Sequence, residues 1–569
     1  MKLRLVCLFL LTASAACSAI DRNAFTFTNY NLNVRVEPDQ QRLAVRGRVT
    51  LRNDSSTPQK NAVLQISSSL DWRSIQVEGK PVQFVSQPYA SDIDHTGALS
   101  EAIVTLPIAV APKASIDINV GYEGVIVLDT TRLKRIGVPD DVAKHSDWDQ
   151  ISPSFSAVRG VGYIAWYPVA MDAANLSEGN SAFEILGRWK ARHAESSMSV
   201  VFSSTSDKVE FSGTPSAFAI TPELPGKLSV FSMVRFGRSV PAFTILAGGR
   251  VEEQGRISIH YLAGHESAAK DYLALLGTIN DATGHFGRYS GKLQVFDLPE
   301  GDYSPFVTES MALVPLNTPI KPEVELSLAY ASAKTNNIFQ RAWAADGLAH
   351  FEQAAYLEQK SGRNAALKYM GQRLPLVLEG EKNAPAPAAA TSANSLLEYV
   401  DESFCGAKAM YVWWMLRDML GRDTPLTLSI DYRVDADRQD PSYIQHLLER
   451  HSKRDLQWFF DDWVYHDHGL PDFRVASVFP SKTNRSIYLV TVTLENVGTA
   501  GAEVPFTVKF DGGEVSKRLE VRAKSSATIR VETPAAPNEV VVNDGSVPES
   551  NMANNTFTIA APASGDSHF

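Results

Sequence analysis

The 569-residue sequence has few cysteines, no long apolar run after its start and no run of basic residues. Of its three cysteines, Cys7 lies in the apolar start of the chain and only Cys17 and Cys405 follow, so we expect no disulfide framework. A transmembrane helix needs about 18 apolar residues, and no later segment offers them. Lys and Arg number 54 against 64 Asp and Glu, for a net charge of −10, so nucleic acid is not expected as a partner.

The first 19 residues, MKLRLVCLFLLTASAACSA, have the pattern of an export signal. A basic start precedes the apolar run Leu5–Leu11, and small residues follow. We predict a signal peptide over 1–19, with cleavage near Ala15 or Ala19, and a periplasmic, extracellular or cell-surface location. The alternative is a lipid anchor on Cys17.

The length suggests about three domains, and the hydropathy pattern changes twice along the chain. From 20 to 250, apolar and polar residues alternate in short runs such as LAVRGRVTLRND, which predicts a β-rich domain. From 251 to 475, apolar residues recur at three-to-four spacing, which predicts helices. Alternation returns over 476–569 and predicts a β-sandwich of immunoglobulin-like size. The whole is a multidomain α+β protein, with a Pro/Ala-rich exposed loop at 380–394.

Three stretches of the predicted helical domain carry residues of chemical interest. RAWAADGLAHF places Asp346 on a helix after a tryptophan, and FVTESMALV places Glu309 on a strand. SFCGAKAMYVWWMLRDMLG begins a helix with Phe404 and Cys405. In this order the stretches resemble the membrane alanyl aminopeptidase family of gluzincin zinc peptidases. The resemblance implies a thermolysin-like, mostly helical catalytic-type domain between the two β domains.

The resemblance also assigns positions. Asp346 lies where the family has its zinc-binding Glu, and Glu309 lies where the family anchors the free amine of a peptide. The family's other two zinc ligands are histidines one helical turn apart in His-Glu-x-x-His. Counting back from Asp346 by the family's usual separation puts them at Glu323 and Ser327, with the general base at Val324.

We call this alignment of the His-Glu-x-x-His motif the first frame. A second frame, shifted by three residues, puts the two histidines at Leu326 and Tyr330. Neither frame contains a histidine, and the sequence has none between His285 and His350. Because zinc-bound water is the nucleophile of such enzymes, loss of the ligands removes the chemistry. We therefore predict that zinc is not bound and that Asp346 is the vestige of a metal site.

The family's catalytic tyrosine, which hydrogen-bonds the developing oxyanion, falls at Phe404 or Cys405, and neither supplies a phenol. Tyr399 replaces it only if the loop is rearranged. Cys405 has no Cys-His signature around it, so a structural thiol is favoured over a nucleophile. These absences predict no catalytic residue.

The remaining histidines have structural interpretations. His446 and His451 are five residues apart, which separates them around a surface helix, and His466 and His468 fit a solvated turn. His350 follows Asp346 by four residues and shares its face, as a satisfied helix histidine or as a partner of Asp346.

Three functional hypotheses follow. The first is an exported protein of aminopeptidase architecture, without cofactor, that binds a peptide or protein in a groove near Glu309 and Asp346. The second is an active metallo-aminopeptidase in which Asp346 binds zinc together with Glu323 or Glu325 and a distant imidazole. The third is an adhesion or assembly protein that acts through its β domains.

Overall fold

The structure is a computed structural model that describes residues 20–559 except 179–180, 216–226, 235, 237–239, 284–290, 384–394, 399–400, 423, 467–468 and 484–486. The predicted signal peptide and Cys17 lie outside the described residues. None of the helices in the described part of the chain combines the length and apolarity needed to cross a bilayer.

The N-terminal region is built on strands that alternate as the sequence predicts. In β2, Val45, Val49 and Leu51 are buried while Arg46 and Arg48 face solvent. The elements are β1 Phe25–Glu37, β2 Arg42–Asn53, β3 Gln59–Ser67, β4 Leu70–Val77, β5 Lys80–Pro81, β6 Phe84–Ala90, β7 Ala98–Val110, β8 Ser115–Val125, α1 Thr131–Arg135, α2 Asp140–Ser146, β9 Phe155–Val158, α3 Ser181–Arg192, β10 Ser197–Ser204, β11 Glu210–Phe211, β12 Thr214–Pro215, β13 Lys227–Val234 and β14 Phe243–Leu246.

Within the ranges that the structure describes, these strands form one large sheet and two small ones. The large sheet has the order β12-β13-β10-β1-β2-β8-β4-β5, and the small sheets have the orders β3-β7-β6 and β11-β14-β9. Apolar faces of the sheets pack into one core, because each strand buries alternate residues.

The central region joins a small sheet to a set of helices. Its sheet has the order β15-β16-β17-β19-β18, in which β18 is an edge strand paired with β19 as a hairpin. The elements are β15 Arg250–Gln254, β16 Ile257–Tyr261, α4 Glu266–Thr283, β17 Leu293–Asp297, β18 Phe306–Thr308, β19 Met311–Val314, α5 Pro322–Asn336, α6 Ala342–Ser361, α7 Arg363–Gly371, α8 Leu374–Asn383, α9 Glu402–Leu420, α10 Thr424–Asp431, α11 Val434–Gln439, α12 Tyr443–Ser452 and α13 Gln457–Phe460, followed by a π-helical turn Asp461–Tyr465.

Helices α6 and α9 form the centre of this region, and a glycine sets their distance. A Cβ atom on Gly347 would lie 2.4 Å from the Cβ of Ala409, so a larger residue there would push the helices apart. Helix α9 is buried almost all round, including Trp413 and Trp414. Helix α8 extends to Asn383, so the first four residues of the predicted loop 380–394 are helical, and 384–394 lie outside the described residues.

The C-terminal region packs two sheets face to face, with the orders β20-β21-β24 and β23-β22-β25-β26 among the described strands. They are β20 Phe473–Lys482, β21 Tyr488–Asn496, β22 Ala502–Phe510, β23 Gly513–Val521, β24 Ser525–Thr533, β25 Pro537–Val542 and β26 Thr556–Thr558. One hydrophobic core continues from the central helices into this sandwich, and Trp463 Nε1 donates to Gly501 O at 2.7 Å across the junction.

The predicted multidomain α+β class is confirmed, with a β-rich start, a mostly helical middle and a strand-rich end. The predicted borders near 250 and 475 remain predictions.

Candidate functional site

A cleft of about 540 Å³ lies where the N-terminal region meets the central helices. We call it the cleft throughout. The side chains that line it include Arg159, Tyr163, Phe306, Glu309, Tyr330, Lys334, Asp346 and His350. A second cavity of about 400 Å³ adjoins it, and Lys190, Asp346 and Glu402 line both. Asp346 therefore lies between two connected openings.

Asp346 is part of an ion pair between two helices. It projects from the first turns of α6 toward α5, where Lys334 Nζ lies 2.5 Å from its Oδ1 atom. The Lys334 side chain is only 8% exposed and that of Asp346 27%. Burial by itself would raise the pKa of Asp346, but the Lys334 ammonium outweighs it and holds the pKa below the usual value. Asp346 is therefore an ionised carboxylate with a cation supplied by the chain.

The face of α5 that meets Asp346 is set by Tyr330 and Lys334, which are one turn apart. Tyr330 also lines the cleft, and its ring centroid lies 4.8 Å from that of His350. Positions i and i+4 of a helix share a face, so these two occupy the positions from which a ligand pair would reach Asp346. A phenol and an ammonium do not match the imidazole pair of a gluzincin, and the donor set does not fit zinc.

The sequence-based frames were wrong about which residues of α5 face Asp346. Glu323 is exposed at the start of α5, Val324 is buried on another face, and the Ser327 hydroxyl donates to the Glu323 carbonyl oxygen. The shifted frame placed only Tyr330 correctly near Asp346. The pairing of Asp346 with Lys334 was not expected from the sequence.

The substituted ligand set is not assembled either. Glu325 accepts hydrogen bonds from Tyr356 and Lys360, and neither Glu323 nor Glu325 lines the cleft. In the portion of the chain that the structure describes, no group of three His, Cys, Asp or Glu side chains is arranged to hold a metal ion.

His350 lies beside the ion pair as a neutral imidazole. Its Nδ1 atom lies 2.9 Å from Gln353 Oε1, an acceptor, so Nδ1 carries the proton. Burial lowers the pKa of His350 to about 4, and the charges of Arg373 and Lys334 act in the same direction. The satisfied-histidine interpretation agrees with this geometry, since His350 hydrogen-bonds Gln353 and the ring of Tyr330 packs against it at an angle of 37°.

Glu309 lines the cleft as the resemblance implies. It forms the turn between β18 and β19 with a φ of 46°, a backbone conformation that non-glycine residues adopt rarely. Thr308 anchors this turn, because its hydroxyl donates to Val240 O at 3.0 Å and accepts from Val240 N at 2.9 Å. Such strain is found at binding sites, but the amine-binding role of Glu309 remains a prediction.

Phe404 and Cys405 occupy the first turn of α9, which Asp401 caps by accepting from Phe404 N at 2.9 Å. Both are buried, and Cys405 Sγ lies 3.8 Å from Leu396 O. Burial raises the pKa of the Cys405 thiol far above its usual range, and the charge of Asp346 adds to this. The thiol is thus protonated and structural. Tyr399 lies outside the described residues.

The other histidines pair with acids on the surface. His446 Nδ1 lies 2.9 Å from Asp440 Oδ2, and His451 Nε2 lies 3.0 Å from Asp431 Oδ2. They sit on α12, as the surface-helix interpretation expects. His466 Nδ1 lies 3.3 Å from Asp461 Oδ1, and His468 lies outside the described residues.

Sequence reasoning missed Lys334 and three further residues of the cleft. Lys190 of α3 and Glu402 of α9 form an ion pair at 2.7 Å across the two regions. Arg159 is buried against Asp149 at 2.6 Å, and its guanidinium lies 3.6 Å from the ring centroid of Tyr163. The signal for Lys334 was its spacing of four from Tyr330, whereas Lys190 and Glu402 are 212 residues apart and gave no signal.

Comparisons with known proteins find similarity in structure only. No protein-family model matches the chain, and no curated protein matches its sequence. Solved structures that align with it include M1 zinc metallopeptidases from Deinococcus radiodurans. A mutant bound to a Tyr-Ser-Ala substrate aligns over 78% of this chain and 95% of its own, with 14% identity and a TM-score of 0.45. The same mutant without that substrate aligns over 78% of this chain and 94% of its own, with 14% identity and a TM-score of 0.43. The enzyme itself aligns over 76% of this chain and 94% of its own, also with 14% identity and a TM-score of 0.43.

Proposed function

We propose that this protein is an exported relative of the zinc aminopeptidases that does not bind zinc and instead binds a peptide or protein segment in the cleft. The observation that carries the proposal is the ion pair between Lys334 and Asp346. A Zn²⁺ ion at Asp346 would have to displace an ammonium that is nearly buried, or force it to lose its proton. Metal ligands must be deprotonated and placed around the ion, and no such set faces Asp346 among the described residues.

The cleft has properties that suit a peptide. Its volume lies within the range of about 300–1,000 Å³ typical of ligand sites. Phe183 at its rim is 45% exposed, and Tyr163 and Phe306 add aromatic surface. Glu309 offers a carboxylate to a free amine, and a charge-assisted hydrogen bond of this kind needs no metal. These features support a bound peptide whose amino terminus lies at Glu309.

The zinc part of the proposal is tested by metal analysis and an activity assay. Purified full-length protein is incubated with zinc, dialysed and analysed, and hydrolysis of aminoacyl chromogenic substrates is measured. We expect zinc far below one per chain and no hydrolysis above the blank. About one zinc per chain with hydrolysis that a chelator abolishes would overturn the proposal in favour of an active metallopeptidase.

The binding part is tested with fluorescent peptides that differ only at the amino terminus. We expect peptides with a free amine to bind and N-acetylated copies to bind at least tenfold more weakly, about 1.4 kcal/mol. Glu309→Gln should remove this preference, whereas Glu300→Gln, at an exposed acid outside the cleft, should keep it. Equal affinity of both peptides for the native protein contradicts the assignment of Glu309.

The adhesion hypothesis predicts a different sensitivity. Phe479 of β20 is 65% exposed and Ile108 of β7 is 75% exposed. If the β regions do the binding, Phe479→Ser or Ile108→Ser will weaken it and Glu309→Gln will not. Point variants are preferable to truncation here because the sandwich shares its core with the helices.

A further inference from the structure

One end of the C-terminal sandwich holds a cluster of oxygen atoms that lies outside the cleft. We define the oxygen cluster as the side chains of Asp472, Glu549, Asn554 and Asn555. Glu549 is 1% exposed and Asn555 5% exposed. Glu549 Oε2, Asn554 Oδ1 and Asn555 Oδ1 are buried and have no hydrogen-bond partner among the described residues. Buried acceptors without partners are rare and costly, so three in seven residues require an explanation.

Hydrogen bonds place the four side chains in one neighbourhood. The Asn555 amide donates from Nδ2 to Glu549 Oε1, and Asn554 Nδ2 donates to Asp472 Oδ1 at 2.8 Å. The backbone N–H of Phe473, the residue after Asp472, also faces Glu549. Both amides have therefore directed their donors to carboxylates, which leaves carbonyl oxygens as their remaining polar atoms.

The cluster contains negative charge without a positive partner. Neither Glu549 nor Asp472 forms an ion pair with Lys, Arg or His within the described ranges, and Arg363 pairs with Asp544 and Asp418. Two carboxylates and two amides therefore meet here without a cationic side chain among the described residues.

We propose that the oxygen cluster binds one calcium ion. All its remaining ligand atoms are oxygens of carboxylates and amides, which are the ligands of Ca²⁺ and not those of zinc or copper. Ca²⁺ takes six to eight oxygens in irregular geometry, whereas Mg²⁺ requires a near-ideal octahedron. Asp472 and Asn554 are half-buried, so water can complete the coordination from that side.

The position suggests a structural role for the ion. Asp472 lies directly before β20, at the junction of the helices with the sandwich, while Glu549 and Asn555 lie on the segment between β25 and β26. An ion held by both would tie the junction to the last hairpin. Only two carboxylates contribute, so we expect weak binding, with a Kd of about 10⁻⁴ to 10⁻³ M, the range of low-charge sites. This inference is independent of the proposed peptide binding.

The test is isothermal titration of the full-length protein with calcium chloride after treatment with a chelator. We expect one calcium per chain, with Glu549→Gln weakening binding at least tenfold. Glu532→Gln, at an exposed acid on β24 of the same sandwich, should bind as the native protein does. Asp472→Asn is a second variant at a half-buried position, so its fold is easier to preserve, and its calcium affinity should also fall.

Three results would overturn the inference. Absence of calcium binding by the native protein would mean that the cluster is satisfied by water or by protonation of Glu549. Unchanged affinity in both Glu549→Gln and Asp472→Asn, each shown to be folded by circular dichroism, would mean that calcium binds elsewhere. Magnesium binding as tight as calcium binding would contradict the choice of ion.

Discussion

The central helices and the C-terminal sandwich each hold an interior carboxylate, and they balance its charge differently. Asp346 has Lys334 at 2.5 Å and is held ionised, whereas Glu549 has amides and a second acid as neighbours and its pKa is raised to about 7. A desolvated charge is tolerated only with a counter-charge. The comparison teaches that burial raises the pKa of a carboxylate unless a nearby ammonium, such as that of Lys334 beside Asp346, outweighs the cost of desolvation.

The largest effect is expected from replacing the built-in cation by a metal site. The variant Tyr330→His/Lys334→His/Asp346→Glu places two imidazoles one turn apart facing a carboxylate. We expect about one zinc per chain with a Kd of 1 μM or tighter, about 8 kcal/mol, measured by metal analysis and competition with a chelator.

The control for this variant uses the first sequence-based frame. Glu323→His/Ser327→His/Asp346→Glu carries the same residue types at the same spacing, but on positions that do not face Asp346. It should bind no zinc at that affinity. Zinc binding by the control and not by the first variant would show that the register of α5 against α6 is different from that described.

The next effect is the loss of the cation alone. Lys334→Met leaves Asp346 desolvated and unpaired, so the free energy of unfolding should fall by about 3–5 kcal/mol in urea titrations followed by tryptophan fluorescence. Lys360→Met is the control, because Lys360 is 49% exposed and its partner Glu325 keeps the hydrogen bond from Tyr356 when the ammonium is removed. Its loss should be within about 1 kcal/mol. Equal losses in the two variants would contradict the special role of Lys334.

The pH dependence of stability sharpens the comparison further. The pKa of His350 is about 4 in the folded protein against 6.5 when unfolded, so the unfolded state binds more protons between these values. The contribution of His350 to the free energy of unfolding is therefore fully present above pH 6.5 and is lost as the pH is lowered toward 4. At about 1.4 kcal/mol per pKa unit, and reduced because the group is partly exposed, we expect a loss of about 1–2 kcal/mol.

This contribution is measured by comparing urea unfolding at pH 7 and pH 4.5. His350→Gln should show a smaller loss between the two pH values than the native protein, because Gln can still hydrogen-bond Gln353 but does not titrate. His446→Gln, which changes a histidine that is 52% exposed, should show the native loss. An unchanged loss in His350→Gln would mean that folding does not lower the pKa of this imidazole.

The smallest effect is expected at Glu549. In the presence of a chelator, Glu549→Gln removes a charge that has no ion pair and keeps the side-chain shape, so the free energy of unfolding should change by less than about 1 kcal/mol. Asp346→Asn, the same type of change, leaves the ammonium of Lys334 nearly buried without its counter-ion and should cost about 3 kcal/mol. Similar losses in the free energy of unfolding for the two variants would contradict the difference described between the two carboxylates.

Part of the cleft was predictable from sequence because it depends on local patterns. Helix α6, with Trp343 and Asp346 in its first turns, and the position of Glu309 at the end of β18 follow from short motifs. Which residues of α5 face Asp346 could not be predicted, because the five residues 337–341 between α5 and α6 determine the rotation of one helix relative to the other. Counting along the chain cannot give that rotation.

The oxygen cluster shows the same limit more strongly. Its asparagines look like ordinary turn residues in the sequence, and Asp472 is about 80 residues away from Asn554. Only the packing of the first sandwich strand against the last hairpin brings them together. Burial removes these polar groups from water and leaves acceptors without hydrogen-bond partners. It is likewise a property of the fold and not of the local sequence.

The sequence by itself determined which donor is missing. With no histidine between His285 and His350, no rotation of α5 can present an imidazole pair to Asp346. Only the tertiary structure decided what stands there instead, because the position of Lys334 depends on how α5 packs on α6, and the position of α6 depends on its close contact with α9 at Gly347. Composition limits the chemistry that a chain can perform, whereas packing decides which of the remaining groups meet.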